Sequence, residues 1–210
     1  MTPLLLTAGA TRNPIDAIRY LSAHATGRTG VDLAARLAPT HTVHLLGSAE
    51  ACLRAPAALQ AMPGFALEEF MGTRDLMARM ERWITAHPRG VVIHSAAVGD
   101  YEADAVASKI PSGAKELVLR FHPAPKIVDQ VRTWAPDAFL VSFKAGAPEL
   151  TADALEAIAR AQLARTGSDI VFANVLGAIE TTVLLVTRGG TTAYPKRTDA
   201  LTALCARLPG

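Results

Sequence analysis

Short apolar runs alternate along the chain with longer amphipathic stretches. "LLLTA" (4–8) predicts a buried strand, "GVDLAARLA" (30–38) a helix and "TVHLLG" (42–47) a second strand. "FALEEF" (65–70) predicts a strand, and "TRDLMARMERWITAH" (73–87) a helix with Leu76, Met80, Trp83 and Ile84 on one face. "GVVIHSA" (90–96) is almost continuously apolar, as a strand is when both sheet faces are covered. Further on, "ELVLRF" (116–121) alternates like a strand, and "PKIVDQVRTWA" (125–135) predicts a helix with Pro125 at its first position. "AFLVSF" (138–143) and "DIVFAN" (169–174) predict strands on either side of a helix over 151–165. "TTVLLVT" (181–187), a Gly-Gly pair and "TTAYP" (191–195) predict an antiparallel hairpin, and a last helix spans roughly 198–208.

Strand–helix repetition of this kind predicts an α/β fold: a Rossmann-like, doubly wound, mostly parallel sheet with a C-terminal antiparallel hairpin. No repeat or long linker divides the chain, so 1–210 reads as a single domain. The stretch 99–115, "GDYEADAVASKIPSGAK", lacks apolar residues enough to pack and reads as a mobile flap.

Composition narrows the function. Half of the residues are hydrophobic and the net charge is +2, which excludes a disordered chain and a bulk electrostatic nucleic-acid binder. "MTPLLLTAGA" is too short and lacks the basic leader of a signal peptide, and no apolar run reaches the ~18 residues of a membrane helix. A cytoplasmic protein is expected, with Cys52 and Cys205 as ordinary buried thiols. His41 and His44 lack a third ligand at metal spacing, Trp83 and Trp134 sit on packing faces, and Arg74, Arg79 and Arg82 read as the wet face of a helix.

Ligands of doubly wound sheets bind beyond the carboxyl ends of the strands. The segment after the first strand runs "GATRNPIDAIRYLSAHATGRTG" (9–30). Gly9 permits a tight turn, and Gly27 and Gly30 lead into a helix N-terminus suited to an anion. It is neither a Walker loop nor GxGxxG, and turn glycines alone would explain it. After the 90–96 strand, Ala97 lets the backbone approach a flat ligand, and Asp100 stands where it could hold a ribose hydroxyl or help hold a metal.

The ordered set of these elements resembles the phosphopantothenoylcysteine synthetase family of coenzyme A biosynthesis. "GATRNPID" stands for its GGT-x-x-x-ID element, and "RYLSAHATGRTG" for its Arg-aromatic-x-x-Asn-x-x-x-Gly loop. "SAAVGDY", Lys109 in "KI", "APKIV", Phe143–Lys144 and Ala173–Asn174 follow in order. The length is similar to that of non-fused members, without a decarboxylase domain. The resemblance implies a ligase that activates phosphopantothenate as an acyl-nucleotide with CTP or ATP and Mg²⁺, then condenses it with cysteine. It implies phosphate cradling by Gly9, Gly27 and Gly30. Ala97, Asp100, Pro125, Lys126, Ile127, Val128, Phe143 and Lys144 would hold the nucleotide. Arg19 and Asn174 would face phosphopantothenate, and Lys109 would stabilise charge on the acyl-phosphate. The family is dimeric, with a site that the partner subunit helps complete. Ala23 occupies the position of the family's loop asparagine, a catalytic contact, with Ser22 and His24 as neighbours able to replace its hydrogen bond.

Two other readings stand beside the ligase. A relative that binds nucleotide or phosphopantothenate without ligating would tolerate Ala23. A nicotinamide-dependent short-chain reductase would share "TAGAT", but it needs a Tyr with Lys four residues on, and Tyr101 has Ala105 there.

Overall fold

The computed structural model describes residues 1–210. In chain order the elements begin with β1 (Thr2–Ala8), β2 (Arg12–Pro14), β3 (Tyr20–Ser22), α1 (Arg28–Leu37), β4 (His41–Gly47), α2 (Ala49–Arg54), α3 (Ala57–Gln60) and β5 (Phe65–Glu69). There follow α4 (Thr73–Ala86), β6 (Val91–His94), β7 (Tyr101–Ala103), β8 (Phe121–Pro123), α5 (Ile127–Trp134) and β9 (Phe139–Gly146). The chain closes with α6 (Ala152–Thr166), β10 (Ile170–Val175), β11 (Val183–Thr187), β12 (Gly190–Tyr194) and α7 (Arg197–Cys205).

Eight strands form one sheet in the order β12-β11-β10-β9-β6-β1-β4-β5. Those from β10 to β5 are parallel, and β11 and β12 are antiparallel additions at one edge. This is the expected Rossmann-like doubly wound sheet with its hairpin. Strand order reverses between β1 and β6, which opens a crevice at their carboxyl ends.

The pleat sorts side chains between two layers. Leu4, Leu6 and Ala8 of β1 join the core beneath α1 and α7, while Leu5 joins the core beneath α4 and α5. All four are fully buried, which is why the run is apolar without alternation. Each such leucine contributes about 1.5–3 kcal/mol by its removal from water. On the α4/α5 side, α6 covers Val171, Ala173 and Val175 of β10. Helix α1 crosses β1 at Gly30, where a Cβ would lie 2.5 Å from the Ala8 Cβ and 2.9 Å from Leu6 Cδ2.

Two small antiparallel ribbons, β2–β3 and β7–β8, stand outside this sheet. They correct the sequence reading in two places. The 9–30 segment is not all loop, since past β1 it makes an isolated bridge at Ala10–Ala97 and then the β2–β3 ribbon. The alternating run 116–120 forms no strand; only Phe121 pairs, in β8, and Leu117 and Val118 are exposed. Alternation predicts a strand only where one face has something to pack against. Helix α5 begins at Ile127 with Lys126 as its cap, so Pro125 precedes the helix instead of opening it. The short helices α2 and α3 were not expected; Ser48 Oγ caps α2 by accepting from the Ala51 amide at 3.4 Å.

The arginines of α4 are paired rather than free. Arg79 meets Asp75 (2.7 Å) and Glu68, Arg82 meets Glu68 (2.9 Å), and Arg74 meets Glu102 (2.9 Å). His44 also reaches Glu68, at 3.0 Å, while buried His41 lies 2.9 Å from Thr40 Oγ1 and 3.1 Å from the Pro209 carbonyl. No group of three metal-ligating side chains forms anywhere. Cys52 and Cys205 are half-buried free thiols, both pushed above their ordinary pKa by burial. No helix is long and apolar enough to cross a membrane.

Candidate functional site

Two adjoining cavities lie at the carboxyl edge of the sheet. The first, about 410 Å³, sits beyond β6, β9 and β10 and is lined by Ala97, Asp100, Lys126, Ile127, Val128, Phe143, Lys144 and Asn174. The second, about 430 Å³, lies at the end of β1 and the start of α1 and is lined by Gly9, Gly27 and Gly30. Thr29, Ser95 and Arg197 line both, so the two spaces form one cleft. Eleven positions that sequence and family resemblance single out are thus divided along a single groove.

In the first cavity, Phe143 lines the groove and stacks on Phe172 with ring centroids 4.7 Å apart. Lys126 and Asp100 form an exposed ion pair with each other across the mouth. Exposed pairs contribute about 0–1 kcal/mol, so this one rearranges readily around a ligand. Lys144 has no ion-pair partner within 4.0 Å and faces the same space. Ile127 also packs in the core, so its contribution to the lining is apolar. The Ala97 backbone is already paired: its N–H donates to Gly9 O (2.8 Å) and its carbonyl accepts from Thr11 N (3.1 Å). It therefore shapes the wall, and its N–H is not free for a ligand.

Buried His94 forms part of the same wall and holds a 2.9 Å hydrogen bond with Thr7 Oγ1. Burial lowers its pKa to about 4, so the imidazole is neutral at pH 7. Sequence reasoning passed over His94, along with Gln162 and Arg165, which also line this cavity. Gln162 donates to Ser142 Oγ (2.9 Å) and Phe143 O (3.1 Å), bracing the strand that carries Phe143. Arg165 is held by Asp129.

The second cavity is built by backbone conformation. Gly9 has φ +92°, and a Cβ there would lie 2.0 Å from Ser48 Oγ. Gly27 caps α1 in the left-handed region at φ 76°. The first turn of α1 therefore presents its free amides, and the positive end of its dipole, to the cavity. No acidic residue lies in that turn to compete for them.

Four expected site residues lie outside this groove. Pro125 precedes α5 and is not on the wall. Ala23 is exposed and lines a separate depression of about 330 Å³ with Arg12, Tyr20 and Glu50. Ser22 turns its hydroxyl to Ala23 O (3.2 Å), whereas His24 borders both that depression and the glycine cavity. Arg19 meets Asp16 at 3.1 Å and donates to Ile110 O at 2.7 Å. Lys109, the residue before Ile110, lines neither cavity.

The 99–115 segment is tied down at those contacts. Asp16 accepts from the amides of Ile110 (3.0 Å), Ile18 (2.9 Å) and Arg19 (2.8 Å), and Val106 N donates to Ile15 O (3.1 Å). Burial pushes the Asp16 pKa up, but the three amides and the Arg19 charge outweigh it and hold the carboxyl below its ordinary value. The family-like "ID" thus works as a clasp between the two ribbons.

Comparison with known proteins agrees with this architecture. The chain is 35% identical over 201 residues to the coenzyme A biosynthesis bifunctional protein CoaBC of Thermococcus kodakarensis, covering 93% of this chain and 47% of that protein. It is 27% identical over 176 residues to the Escherichia coli (strain K12) protein of the same description, covering 81% and 40%. The chain thus spans about half or less of the length of these curated relatives. A solved DNA/pantothenate metabolism flavoprotein from Streptococcus pneumoniae superposes with a TM-score of 0.85 at 25% identity, over 99% of this chain and 98% of that one. The model of the DNA/pantothenate metabolism flavoprotein C-terminal domain matches residues 2–203, and the chain belongs to this family, that of the phosphopantothenoylcysteine synthetases.

Proposed function

We propose that the protein is a nucleotide-dependent phosphopantothenate–cysteine ligase. The observation that carries this reading is the single cleft made of an aromatic-edged cavity and a glycine-turn cavity. One half suits a nucleoside against Phe143, Asp100, Lys126 and Val128, and the other suits its phosphate tail on the α1 amides. Asn174 lies on the wall of the first half and would meet phosphopantothenate there.

The reaction runs in two balanced steps. A carboxylate oxygen of phosphopantothenate attacks the α-phosphorus; that P–O bond forms, the α–β bridging bond breaks and pyrophosphate leaves. The cysteine nitrogen then attacks the acyl carbon; the C–N bond forms, the C–O bond to the nucleotide breaks, and the amine loses a proton. Both steps collect anions; the amides at Gly27–Gly30, fixed by the backbone, and the cations of the cleft would offset their charge. Mg²⁺ would be held mainly by the phosphates, with Asp32 and Glu180 as the carboxylates at the phosphate cavity. The nucleotide would be CTP or ATP.

A second copy would complete the site. The ribbons expose Ile18, Tyr20, Tyr101, Val118 and Phe121, an apolar surface suited to a homodimer. Lys109 precedes Ile110, whose carbonyl accepts from Arg19, and in a dimer Lys109 would reach across to a site shared between subunits. A reading without ligation is favoured by one observation, the Ala23 methyl where the family's loop has an amide. A pyrophosphate-release assay with phosphopantothenate, cysteine and Mg²⁺ decides. Release with CTP or ATP is expected, and background with both rejects the ligase. Ala23→Asn is expected to raise turnover, by up to about 10²–10³ if the amide acts mainly in the transition state; a slower variant means that the loop geometry has moved.

A further inference from the structure

Arg197 opens α7, a helix whose sequence pattern gave no hint of chemistry, yet its side chain stands where the two cavities meet. Its Nη2 donates to Thr29 Oγ1 at 2.9 Å, in the first turn of α1. Nη1 makes long contacts of 3.4 Å with Asn174 Oδ1 and with Ile179 O. A guanidinium carries five N–H donors. Three meet protein acceptors, two of them at the limit of hydrogen bonding, and two have none.

The group is half-buried, and burial pulls its basicity below the ordinary value against the opposing pull of Glu180 and Asp32. Neither carboxylate comes within 4.0 Å of it. An arginine remains charged in such a place. A half-desolvated cation with spare donors and no ion pair gains strongly when an anion arrives. Arg165, on the wall of the first cavity, is exposed and already has Asp129 as its partner.

Position adds to charge. The guanidinium lies 5.1 Å over the Phe172 ring, and Phe172 stacks on Phe143. The stack Phe143–Phe172–Arg197 therefore fixes the cation relative to the aromatic edge of the nucleoside cavity, while Thr29 fixes it relative to the glycine cavity.

We propose that Arg197 binds the diphosphate portion of the nucleoside triphosphate at the junction of the two cavities, and holds the pyrophosphate as it leaves. This rests on the ligase reading for the identity of the nucleotide, but the anion site itself does not. As the α–β bond breaks, the bridging oxygen takes the electron pair, and the spare Nε and Nη2 donors meet that charge.

The test is equilibrium binding of inorganic pyrophosphate, CTP and cytidine to wild type, Arg197→Met and Arg197→Lys. Methionine keeps an apolar stem over Phe172 and removes the charge. Pyrophosphate and CTP affinity are expected to fall at least tenfold in R197M, with cytidine within about twofold and R197K intermediate. Wild-type affinity for pyrophosphate in folded R197M overturns the proposal, as does a wild type that does not bind pyrophosphate. Equal losses for cytidine and pyrophosphate also overturn it, because they mark a structural role. Should R197M not fold, the Nε–H resonance of Arg197 in the wild type, assigned by its loss in R197K, decides. It must move when pyrophosphate is added; a resonance that stays put overturns the assignment. Arg197-dependent pyrophosphate binding without pyrophosphate release in the ligase assay leaves this site standing and removes the ligase reading.

Discussion

The main sheet and the two ribbons solve different problems with the same chain. In the sheet, residues such as Leu5, Val92 and Phe172 are fully buried and their positions are set by packing on both faces. In the ribbons, three-residue strands expose Tyr20, Tyr101 and Phe121, and their positions are set by polar ties, above all the Asp16 carboxylate. The sheet supplies the groove, which is rigid because a close-packed core admits little adjustment. The segments around the ribbons carry Ala23 and Lys109, which sit outside that groove. Binding and turnover should therefore separate along this boundary.

Lys109→Ala is the sharpest way to test that separation. Ligation is expected to fall by about 10²–10³, the loss typical of one transition-state donor. Nucleotide affinity should stay within a few-fold, and thermal stability should barely change because an exposed substitution costs within about 0.5 kcal/mol. Equal loss of binding and turnover would erase the boundary.

Acid acts on the sheet through His94. Its folded pKa of about 4 lies below the ordinary 6.5, so the unfolded chain takes up the proton first as pH falls. Stability is fully present above pH 6.5 and declines between 6.5 and about 4, by up to about 3 kcal/mol. Urea titrations across that range should show the slope, and His94→Gln should flatten it.

The smallest effect is expected at the clasp. The folded Asp16 pKa is lowered, so its contribution is present above the ordinary 3.8 and is lost as pH falls through the lowered value. Asp16→Asn should speed amide exchange at Ile110 and Val106 while leaving β1 and β6 protected. Slow exchange at Ile110 in the variant would mean that the ribbons are held by something other than this carboxylate.

How much of this was legible in the sequence follows the same boundary. Strands β1, β6 and β10 announce themselves because burial on both faces forces continuous apolar runs. The glycines are legible too, since Gly9 and Gly30 sit where a Cβ would collide with Ser48 and Ala8. Strands β2, β3, β7 and β8 are too short and too exposed to impose a period, and "ELVLRF" imitates one without a face to bury. Arg19 carries no local sign that its partners are Asp16 and Ile110, ninety-one residues away in the latter case. Arg197 was invisible for a related reason: its meaning comes from Thr29 and Phe172, which only the fold brings to it.

The antiparallel pair at the sheet edge has a consequence of parity. β10 ends at the carboxyl edge, β11 runs back across the sheet and β12 returns, so α7 starts on the same rim as the groove. Two reversals deliver Arg197 to the phosphates; one or three would strand it on the far rim. Insertions and deletions in this corner are therefore tolerated in units of a whole hairpin, and a shortened or circularly permuted chain keeps its grip on the nucleotide tail only if that evenness survives.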